Sequence, residues 1–409
     1  MHFYTSINMN YLPKARILAK SVKQHCEGAK FSLVLSDRLP QEIRPEEEPF
    51  DEILTVEELG IPVKNLDLWI YMHTVVELCT AVKGQALVKF LEEGSEKVVY
   101  LDPDIAVFNS LQEVEQLLDR YDVLLTPHQT APEKTKQDII NNEICSLKYG
   151  TYNFGFYAVK NSKNGLEFAR WWRDRLVDFC YDDIPNGIFT DQRWGDLAPA
   201  LFEGIYLLKD PGCNVSTWNI TTRNVTEDKN GGYSVNGVPL KFYHFSGFDS
   251  GAQKTMLEVN GNGNPGLLTL REWYIKRMEE EGQKRYQAFP SAYNFYDNGT
   301  VVTKTERLLL RSRMDLLEYF ADTNPFVTEQ ERSYYNWYRN EEKLKIEAEQ
   351  KKKEEALAAK RREEAEKRRA EQEIENLNGQ LQAIYSSKAW NYVCRMRHIK
   401  DRILKKQGN

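Results

Sequence analysis

The chain has 409 residues, which exceeds one ordinary domain and is long enough to bury a large core. Its formal net charge is −6, but residues 386–409 hold seven lysines and arginines against one acid, a net of +6 that leaves −12 for the remainder. Because this acidic body lacks the basic face that a nucleic-acid binder needs, we expect no nucleic acid among the partners.

The N-terminal residues 2–6, His-Phe-Tyr-Thr-Ser, read as a strand. They lack the charged region, apolar region and cleavage site of a signal peptide. No run of the chain approaches the roughly 18 apolar residues of a membrane span. We therefore expect a cytoplasmic protein, with its six scattered cysteines reduced, since no C-x-x-C pair indicates a metal or disulfide framework.

Strand-like and helix-like patterns then alternate as far as about residue 250. The predicted strands are Phe31–Asp37, Lys97–Leu101 and Asp122–Thr126; the predicted helices are Pro13–His25 and Leu68–Val82. This alternation predicts an α/β domain over residues 1–250, with a mainly parallel sheet flanked by helices. Ligands of such folds bind at the carboxyl ends of the strands.

The C-terminal part changes character three times. Residues 251–338 are helical and aromatic and are predicted to be an appendage, or a separate small domain. Residues 339–385 are mostly charged and predict a long solvated helix, on which apolar residues at Ile374, Leu377, Leu381 and Ile384 form a short a/d seam that leaves self-association open. Residues 386–409 mix aromatic, apolar and basic residues.

The basic segment 386–409 is typical of an amphipathic helix that lies on an anionic membrane surface. It is equally compatible with binding an acidic partner or the protein's own acidic body.

A glycine-rich segment resembles a dinucleotide-binding motif by chance: Gly261-Asn262-Gly263-Asn264-Pro265-Gly266 satisfies G-x-G-x-x-G. Because no strand leads into it, we predict a turn before a helix at Leu268–Met278.

The most informative motif is Asp102-Pro103-Asp104, two carboxylates placed directly after the apolar strand Lys97–Leu101. Hard divalent cations such as Mn²⁺ and Mg²⁺ take oxygen ligands and often share them with substrate phosphates. Pro103 fixes its own φ and biases Asp102 toward an extended conformation. A bare D-x-D pair is common on solvated loops, so its position at a strand end is what favours a metal site.

Several segments in order resemble GT-A-fold (Rossmann-like) glycosyltransferases, above all the retaining family 8 of glycogenin and lipopolysaccharide galactosyltransferases, with related bacterial polysaccharide-biosynthesis transferases. The matching segments are His2–Ser6, Thr80–Lys83, Tyr100–Ile105, Tyr152–Phe156, Phe189–Gln192 and Phe242–Gly247. The resemblance implies Asp102, Asp104 and His244 as metal ligands for Mn²⁺ or Mg²⁺. It also implies donor contacts from Tyr4, Thr5, Lys83, Asp102 and Gly247, and catalytic or sugar-binding roles for Asn153, Asp191 and Gln192.

Simpler interpretations of these residues stay open at this point. His244 also fits a core histidine, Asn153 a turn residue, and Asp191-Gln192 a capping pair for a helix over Arg193–Phe202. The family's H-x-x-G element usually continues into a lysine that holds the diphosphate, whereas Phe248-Asp249-Ser250 follows Gly247 here. The resemblance implies retention; an inverting enzyme would need a base, for which Asp191 or Asp196 are candidates.

These patterns together predict a metal-dependent hexosyltransferase. It would move a hexose from a nucleotide-sugar, by resemblance a UDP-sugar, to a glycan or a lipid- or protein-linked acceptor, in bacterial surface-polysaccharide assembly. Two alternatives are a degenerate transferase body that serves as a scaffold through its long helix, and a nucleotidyltransferase. The tryptophans Trp171, Trp172, Trp194 and Trp218 are candidates for acceptor stacking, although ordinary core packing is favoured for each.

Overall fold

A computed structural model describes residues 1–261 and 263–406. Asn262 of the predicted glycine-rich turn and residues 407–409 of the predicted tail lie outside the described residues. Residues Met1–Tyr335 form one compact unit and Asn336–Asn409 a second. The predicted boundary at residue 250 stays a prediction, and residues 251–335 belong to the first unit.

The first unit is built on a seven-stranded sheet. The strands are β1 (His2–Ile7), β2 (Lys30–Leu35), β3 (Glu52–Thr55), β4 (Lys97–Leu101), β5 (Ile105–Val107), β6 (Val123–Pro127), β7 (Tyr152–Lys160), β8 (Asp182–Asp183), β9 (Ile188–Phe189), β10 (Ile205–Leu207), β11 (Val225–Glu227), β12 (Tyr233–Val235), β13 (Val238–Pro239) and β14 (Phe242–His244). In the seven-stranded sheet the strand order is β10-β6-β7-β4-β1-β2-β3, and the remaining strands form smaller sheets. Only β7 in the seven-stranded sheet runs antiparallel to its neighbours, so the predicted mainly parallel α/β sheet is confirmed.

Helices cover the sheet and continue beyond it. They are α1 (Leu12–His25), α2 (Leu66–Met72), α3 (Val75–Glu92), α4 (Gln112–Arg120), α5 (Lys136–Asp138), α6 (Ile144–Tyr149), α7 (Lys163–Phe179), α8 (Gln192–Gly195), α9 (Ala198–Leu201), α10 (Ala252–Asn260), α11 (Pro265–Glu280), α12 (Gln283–Tyr286), α13 (Lys304–Ser312), α14 (Met314–Tyr319), α15 (Tyr334–Trp337), α16 (Lys343–Ser386) and α17 (Lys388–Lys406). None of the described helices is long and apolar enough to cross a membrane.

The central strands are buried on both faces, as their apolar sequences require. Four of the five residues of β4 are buried, and so are all six of β1. The smaller pair β5–β14 lies beside this sheet and packs on α11, where the rings of Phe245 and Tyr274 stack at 3.8 Å. This packing places β14 next to the chain that leaves β4.

Two predicted helices are broken, which corrects the sequence interpretation. The predicted helix Leu68–Val82 is two helices, because His73 is extended and Thr74 caps α3 by accepting a hydrogen bond from the Glu77 amide. The predicted helix Arg193–Phe202 is also two short helices, α8 and α9. Pro199 lies in the first turn of α9, where its missing N–H is tolerated but where it cannot continue a helix from α8.

The glycine-rich segment behaves as predicted where the structure describes it. It leads into α11, whose cap is Asn264, with a side chain that accepts hydrogen bonds from the amides of Gly266 and Leu267. In the second unit, α16 confirms the predicted long helix, and its four seam residues are 46–58% exposed. Self-association through this seam stays a prediction.

Glu77 joins three elements and provides a test of the corner between α2 and α3. Its carboxylate accepts hydrogen bonds from the amides of Thr74 at 2.8 Å and Asp182 at 3.0 Å, and it pairs with Arg311 at 3.2 Å. Burial raises the pKa of Glu77, but these partners outweigh it and the pKa is lowered. The stabilisation is therefore present above the unfolded-state pKa and is lost as the pH falls through the folded-state pKa.

We expect Glu77→Gln to lower the free energy of unfolding by roughly 2–4 kcal/mol at pH 7, because it leaves the partly buried Arg311 without its carboxylate partner. The difference from wild type should shrink on acidification below about pH 4. Urea unfolding at several pH values measures both effects. Glu58, which completes an exposed capping box with Thr55, is the matched control, and Glu58→Gln should cost about 1 kcal/mol or less. Equal losses in the two variants would contradict the role assigned to Arg311.

Candidate active site

A cavity of about 850 Å³ opens at the carboxyl ends of β1 and β4. Seven of the sequence-predicted site residues line it: Lys83, Asp102, Asp104, Asn153, Asp191, Gln192 and His244. Parallel strands bring their carboxyl ends to one edge of the sheet, which is where ligands of open α/β folds bind. The structure thus brings most of the predicted site together.

The two aspartates occupy a tight turn between β4 and β5. The amide of Asp102 donates to the carbonyl of Gly155 at 2.8 Å, and the amide of Ile105 donates back to the carbonyl of Asp102 at 3.0 Å. Pro103 has no N–H to satisfy in this turn. The Tyr100 hydroxyl donates to Asp102 Oδ1 at 2.8 Å, which fixes one carboxylate oxygen and leaves Oδ2 facing His244.

Strand pairing brings His244 to the aspartates. In the β5–β14 ladder His244 is opposite Ile105, the residue after Asp104. His244 Nε2 lies 3.0 Å from Asp104 Oδ1 and 3.7 Å from Asp102 Oδ2, and one ligand atom from each of the three residues lies within 4.8 Å of the others. Two carboxylates and an imidazole match the ligands that Mn²⁺ accepts.

Asn153 orients this imidazole. His244 Nδ1 lies 3.3 Å from Asn153 Oδ1, and because a carbonyl oxygen only accepts, Nδ1 donates to it. In the neutral ring the lone pair is then on Nε2, facing the two aspartates. Hydrogen bonds of this kind commonly fix the tautomer of a metal-binding histidine. The sequence predicted a sugar contact for Asn153 and gave no sign of this second contact.

Gly155 makes the close approach possible. A Cβ atom at this position would lie 2.6 Å from His244 Cε1, 2.7 Å from Asp102 Oδ2 and 2.8 Å from Asn153 Oδ1. Real Cβ atoms are essentially never found this close to other heavy atoms. The glycine of the segment Tyr152–Phe156 is therefore required by the packing of the site itself.

Lys83 is buried between two carboxylates. Its Nζ donates to Asp102 Oδ1 at 3.1 Å and to Asp191 Oδ2 at 2.9 Å, and it lies 4.2 Å from the centre of the Tyr100 ring. Burial lowers the pKa of Lys83, but the two aspartates outweigh it and raise the pKa, so the ammonium is charged.

The charge balance favours a divalent cation. With all carboxyl groups ionised and His244 neutral, the site has a formal net charge of −2, from Asp102, Asp104 and Asp191 against Lys83. Without a cation, burial raises the pKa of Asp104, but His244 outweighs this and lowers it to about 2. Burial likewise lowers the pKa of His244, and Asp104 reverses the shift and raises it. The donor set and its charge therefore fit a divalent metal ion.

Asp191 and Gln192 lie beside the cluster rather than capping a helix. Asp191 makes no side-chain cap hydrogen bond to α8 and pairs with Lys83 instead, which rules out the simpler capping interpretation for Asp191. It follows Thr190, a non-glycine residue at φ 43° that donates to Asp191 Oδ1 at 3.1 Å. Gln192 Oε1 accepts from the Phe154 amide at 3.2 Å, and Nε2 donates to the carbonyl of Tyr149 at 2.9 Å.

Three predicted donor contacts do not line the cavity. Tyr4 and Thr5 are fully buried, and the Tyr4 hydroxyl is bonded to Tyr157 at 2.5 Å and to the carbonyl of Lys83 at 2.8 Å. The cavity is lined by the residues just after them, Ser6–Asn8. Gly247 adopts φ 73° beside the lining residue Ser246. Direct donor contacts by Tyr4, Thr5 and Gly247 stay predictions.

The segment that lacks the family's lysine contains an ion pair. Asp249 pairs with Lys14 of α1, which is 1% exposed and lies 3.9 Å from the centre of the Tyr11 ring. Lys14 also helps to lower the pKa of Asp104. A positive charge is thus present near the cluster, but it comes from a different element.

His128, which the sequence analysis did not single out, and Trp218, a candidate for acceptor stacking, also line the cavity. His128 lies 3.3 Å from Asn153 Nδ2, and Trp218 contacts the rings of His128 and His244 edge-on, at centroid distances of 5.3 and 5.2 Å. Trp171 and Trp172 pack in aromatic clusters, as the core interpretation favoured, and Trp194 donates to the carbonyl of Phe179. Of the four tryptophans, only Trp218 lines the cavity. Asp196 does not line it either, and it binds the Thr151 amide and Arg193.

Comparisons with known proteins find relatives of unknown activity and solved glycosyltransferases. No family model matches the chain. It is 25% identical over 252 residues to the uncharacterized protein YfnD of Bacillus subtilis strain 168, covering 60% of this chain and 78% of that protein. It is 28% identical over 211 residues to the uncharacterized protein YfnF of the same organism, covering 49% and 67%.

Among solved structures, the galactosyltransferase LgtC in complex with donor and acceptor sugar analogs is 17% identical. The match covers 64% of this chain and 96% of that chain, with a TM-score of 0.38. Mouse xyloside xylosyltransferase 1 in its apo form is 12% identical over 60% and 97% of the two chains, with a TM-score of 0.37.

Gly155→Ala tests the geometry of the cluster. The added methyl group would displace His244 or Asp102, so we expect Mn²⁺ affinity to fall at least about tenfold while the fold is retained. Calorimetric titration with MnCl₂ measures the affinity, and circular dichroism checks the fold. Gly379 on α16 has open space around its Cβ position, so Gly379→Ala is the matched control and should leave Mn²⁺ affinity unchanged. Wild-type affinity in Gly155→Ala would show that the cluster does not hold the metal.

Proposed function

We propose that the protein is a metal-dependent glycosyltransferase that transfers a hexose from a nucleotide-sugar, a UDP-sugar by resemblance, to a glycan or glycoconjugate acceptor with retention. The observation that carries this proposal is the Asp102–Asp104–His244 cluster, set beside a buried lysine in a cavity at the carboxyl end of the sheet. A degenerate scaffold would not be expected to retain these three ligands within 4.8 Å of one another.

The cluster residues would hold Mn²⁺ or Mg²⁺. When bound, such an ion neutralises charge that develops on a leaving diphosphate. Asn153 keeps the His244 lone pair directed at the site, and Tyr100 with Lys83 fixes Asp102 Oδ1. The protein thereby sets the ligand directions before substrate binds, which is how positioned groups lower a barrier.

The donor sugar would lie over Asp191, Gln192 and Asn153. Burial raises the pKa of Asp191, and the ion pair with Lys83 opposes this shift and so favours the ionised carboxylate. An ionised, buried Asp191 can accept hydrogen bonds from sugar hydroxyls. Gln192 is held at both ends of its amide, so it presents a fixed dipole at the cavity wall. In the retaining mechanism that the resemblance implies, the leaving phosphate assists deprotonation of the acceptor hydroxyl.

We also infer that the protein works in bacterial surface-polysaccharide assembly and that α17 holds it at an anionic membrane surface. Along α17, Tyr392, Met396 and Ile399 recur at helical spacing and are 50–65% exposed. The basic residues Lys388, Arg395, Arg397 and Lys400 lie on the same helix. Exposed apolar and basic residues on one helix fit binding at a lipid interface.

Metal-dependent hydrolysis of nucleotide-sugars tests the enzymatic proposal without knowledge of the acceptor. We expect slow release of nucleoside diphosphate from at least one member of a panel of nucleotide-sugars in Mn²⁺. Chelation and Asp104→Ala should each reduce the rate by at least about a hundredfold, since a ligand or the ion itself is removed. Chromatography of the nucleotide products measures the rate.

Asp196→Ala is the control for this experiment, because Asp196 is a partly buried aspartate outside the cavity. Its hydrolysis rate should remain close to wild type. Rates in wild type and Asp104→Ala that are equal and insensitive to chelation would contradict the metal role. Pyrophosphate release from a nucleoside triphosphate would indicate a nucleotidyltransferase instead.

Flotation with phosphatidylglycerol vesicles tests the membrane proposal. The full chain should float with these vesicles and much less with phosphatidylcholine, since the attraction is partly electrostatic. Replacing Arg395, Arg397 and Lys400 by Gln should abolish flotation. The same change at Lys351, Lys352 and Lys353, exposed bases of α16, should not. Equal flotation of both triple variants would contradict a specific role for α17.

A further inference from the structure

Lys304 lies on the wall of the cavity although it belongs to the helical region after residue 250. It is the first residue of α13 and follows the cap residue Thr303. The sequence assigned no function to this region. Lys304 is therefore a charged group at the cavity that the proposed mechanism does not yet use.

Hydrogen bonds at its N-terminus and to the chain before α3 fix the position of α13, the helix that carries Lys304. Thr303 and Glu306 form a capping box, with the Thr303 amide donating to Glu306 at 2.6 Å. One turn later, the buried Arg307 donates to the carbonyls of Tyr71 at 2.9 Å and His73 at 2.8 Å. These bonds tie α13 to the corner before α3, where Thr74, Val75 and Val76 also line the cavity.

The other groups of the cavity that could carry positive charge are either paired with carboxylates or neutral. Among the described lining residues, Lys83, His128, His244 and Lys304 are those that can carry positive charge. Lys83 is paired with two aspartates, and His244 faces Asp102 and Asp104. Burial lowers the pKa of His128 to about 4, so this ring is neutral at pH 7.

The Lys304 side chain, by contrast, is exposed and makes no hydrogen bond or ion pair with the described residues. Its position is also unfavourable for the helix, because a positive charge at a helix N-terminus opposes the macrodipole. A lysine there does not serve helix stability. The charge of Lys304 and the N-terminal dipole of α13 both favour an anion in the adjoining cavity.

We propose that Lys304 is a substrate-binding residue that contacts phosphate oxygens of the bound substrate. This inference rests on the proposed transferase function, whose substrates carry phosphate in two places. One source is the diphosphate of the nucleotide-sugar, and the other is a phosphate on the acceptor. A single exposed ammonium mounted on a fixed helix suits either source, since lysine binds phosphate as a point charge.

The experiment compares Lys304→Ala, Lys304→Arg and Lys276→Ala with wild type in the full chain. Lys276 is an exposed lysine of α11 that does not line the cavity, so it controls for loss of charge alone. Calorimetry measures the affinity for UDP with Mn²⁺, which reports on the donor phosphates. Inhibition of nucleotide-sugar hydrolysis by glycerol phosphate reports on an acceptor phosphate.

We expect Lys304→Ala to weaken one of these two interactions about tenfold or more, as loss of a hydrogen bond to a charged group does. Lys304→Arg should restore most of it, and Lys276→Ala should match wild type. Weaker UDP binding assigns Lys304 to the donor, and weaker inhibition by glycerol phosphate assigns it to the acceptor. If both interactions are unchanged while wild type binds UDP and hydrolyses the sugar donor, this inference alone is wrong. If wild type neither binds UDP nor hydrolyses any donor, the proposed function fails as well.

Discussion

The interaction on which the site depends is the buried pairing of Lys83 with Asp102 and Asp191. It links α3, the chain after β4 and the chain before α8, and the Lys83–Asp191 contact spans 108 positions of the sequence. Removing one partner of a buried ion pair typically costs about 3–5 kcal/mol, because the remaining charge is left in a poor solvent. The ammonium therefore fixes the positions of both carboxylates whether or not a metal ion is bound.

Around these three residues, Asp102 and His244 of the metal cluster are each held by a neighbouring side chain. Tyr100 fixes one oxygen of Asp102, Asn153 fixes the ring of His244, and Gly155 leaves the space in which these side chains meet. One wall of the site is rich in carboxylates, while the unpaired cation that the structure describes in the lining, Lys304, comes from α13. A substrate with phosphate and hydroxyl groups complements this distribution.

The local sequence pattern predicted the central strands well, but it missed the breaks between consecutive helices. The predicted strand Lys97–Leu101 agrees with the structure, because a short apolar run that ends at Asp-Pro-Asp indicates a buried strand followed by a turn. The break at His73 was missed because apolar periodicity continues through it, and only the capping box of Thr74 and Glu77 marks it. The second contact of Asn153 and the position of Lys304 depend on pairings of residues more than 90 positions apart, which no local pattern encodes.

The contacts that fix α13 show that residues beyond 250 are needed to keep the cavity intact. A chain shortened to residues 1–250 would retain Asp102, Asp104, Asn153 and His244, and it would still contain the whole central sheet. It would lose the Arg307 and Arg311 contacts that hold the α2–α3 corner, together with Lys304 itself. The helical region after residue 250 thus completes one wall of the cavity, and the compact unit that contains this cavity extends to Tyr335.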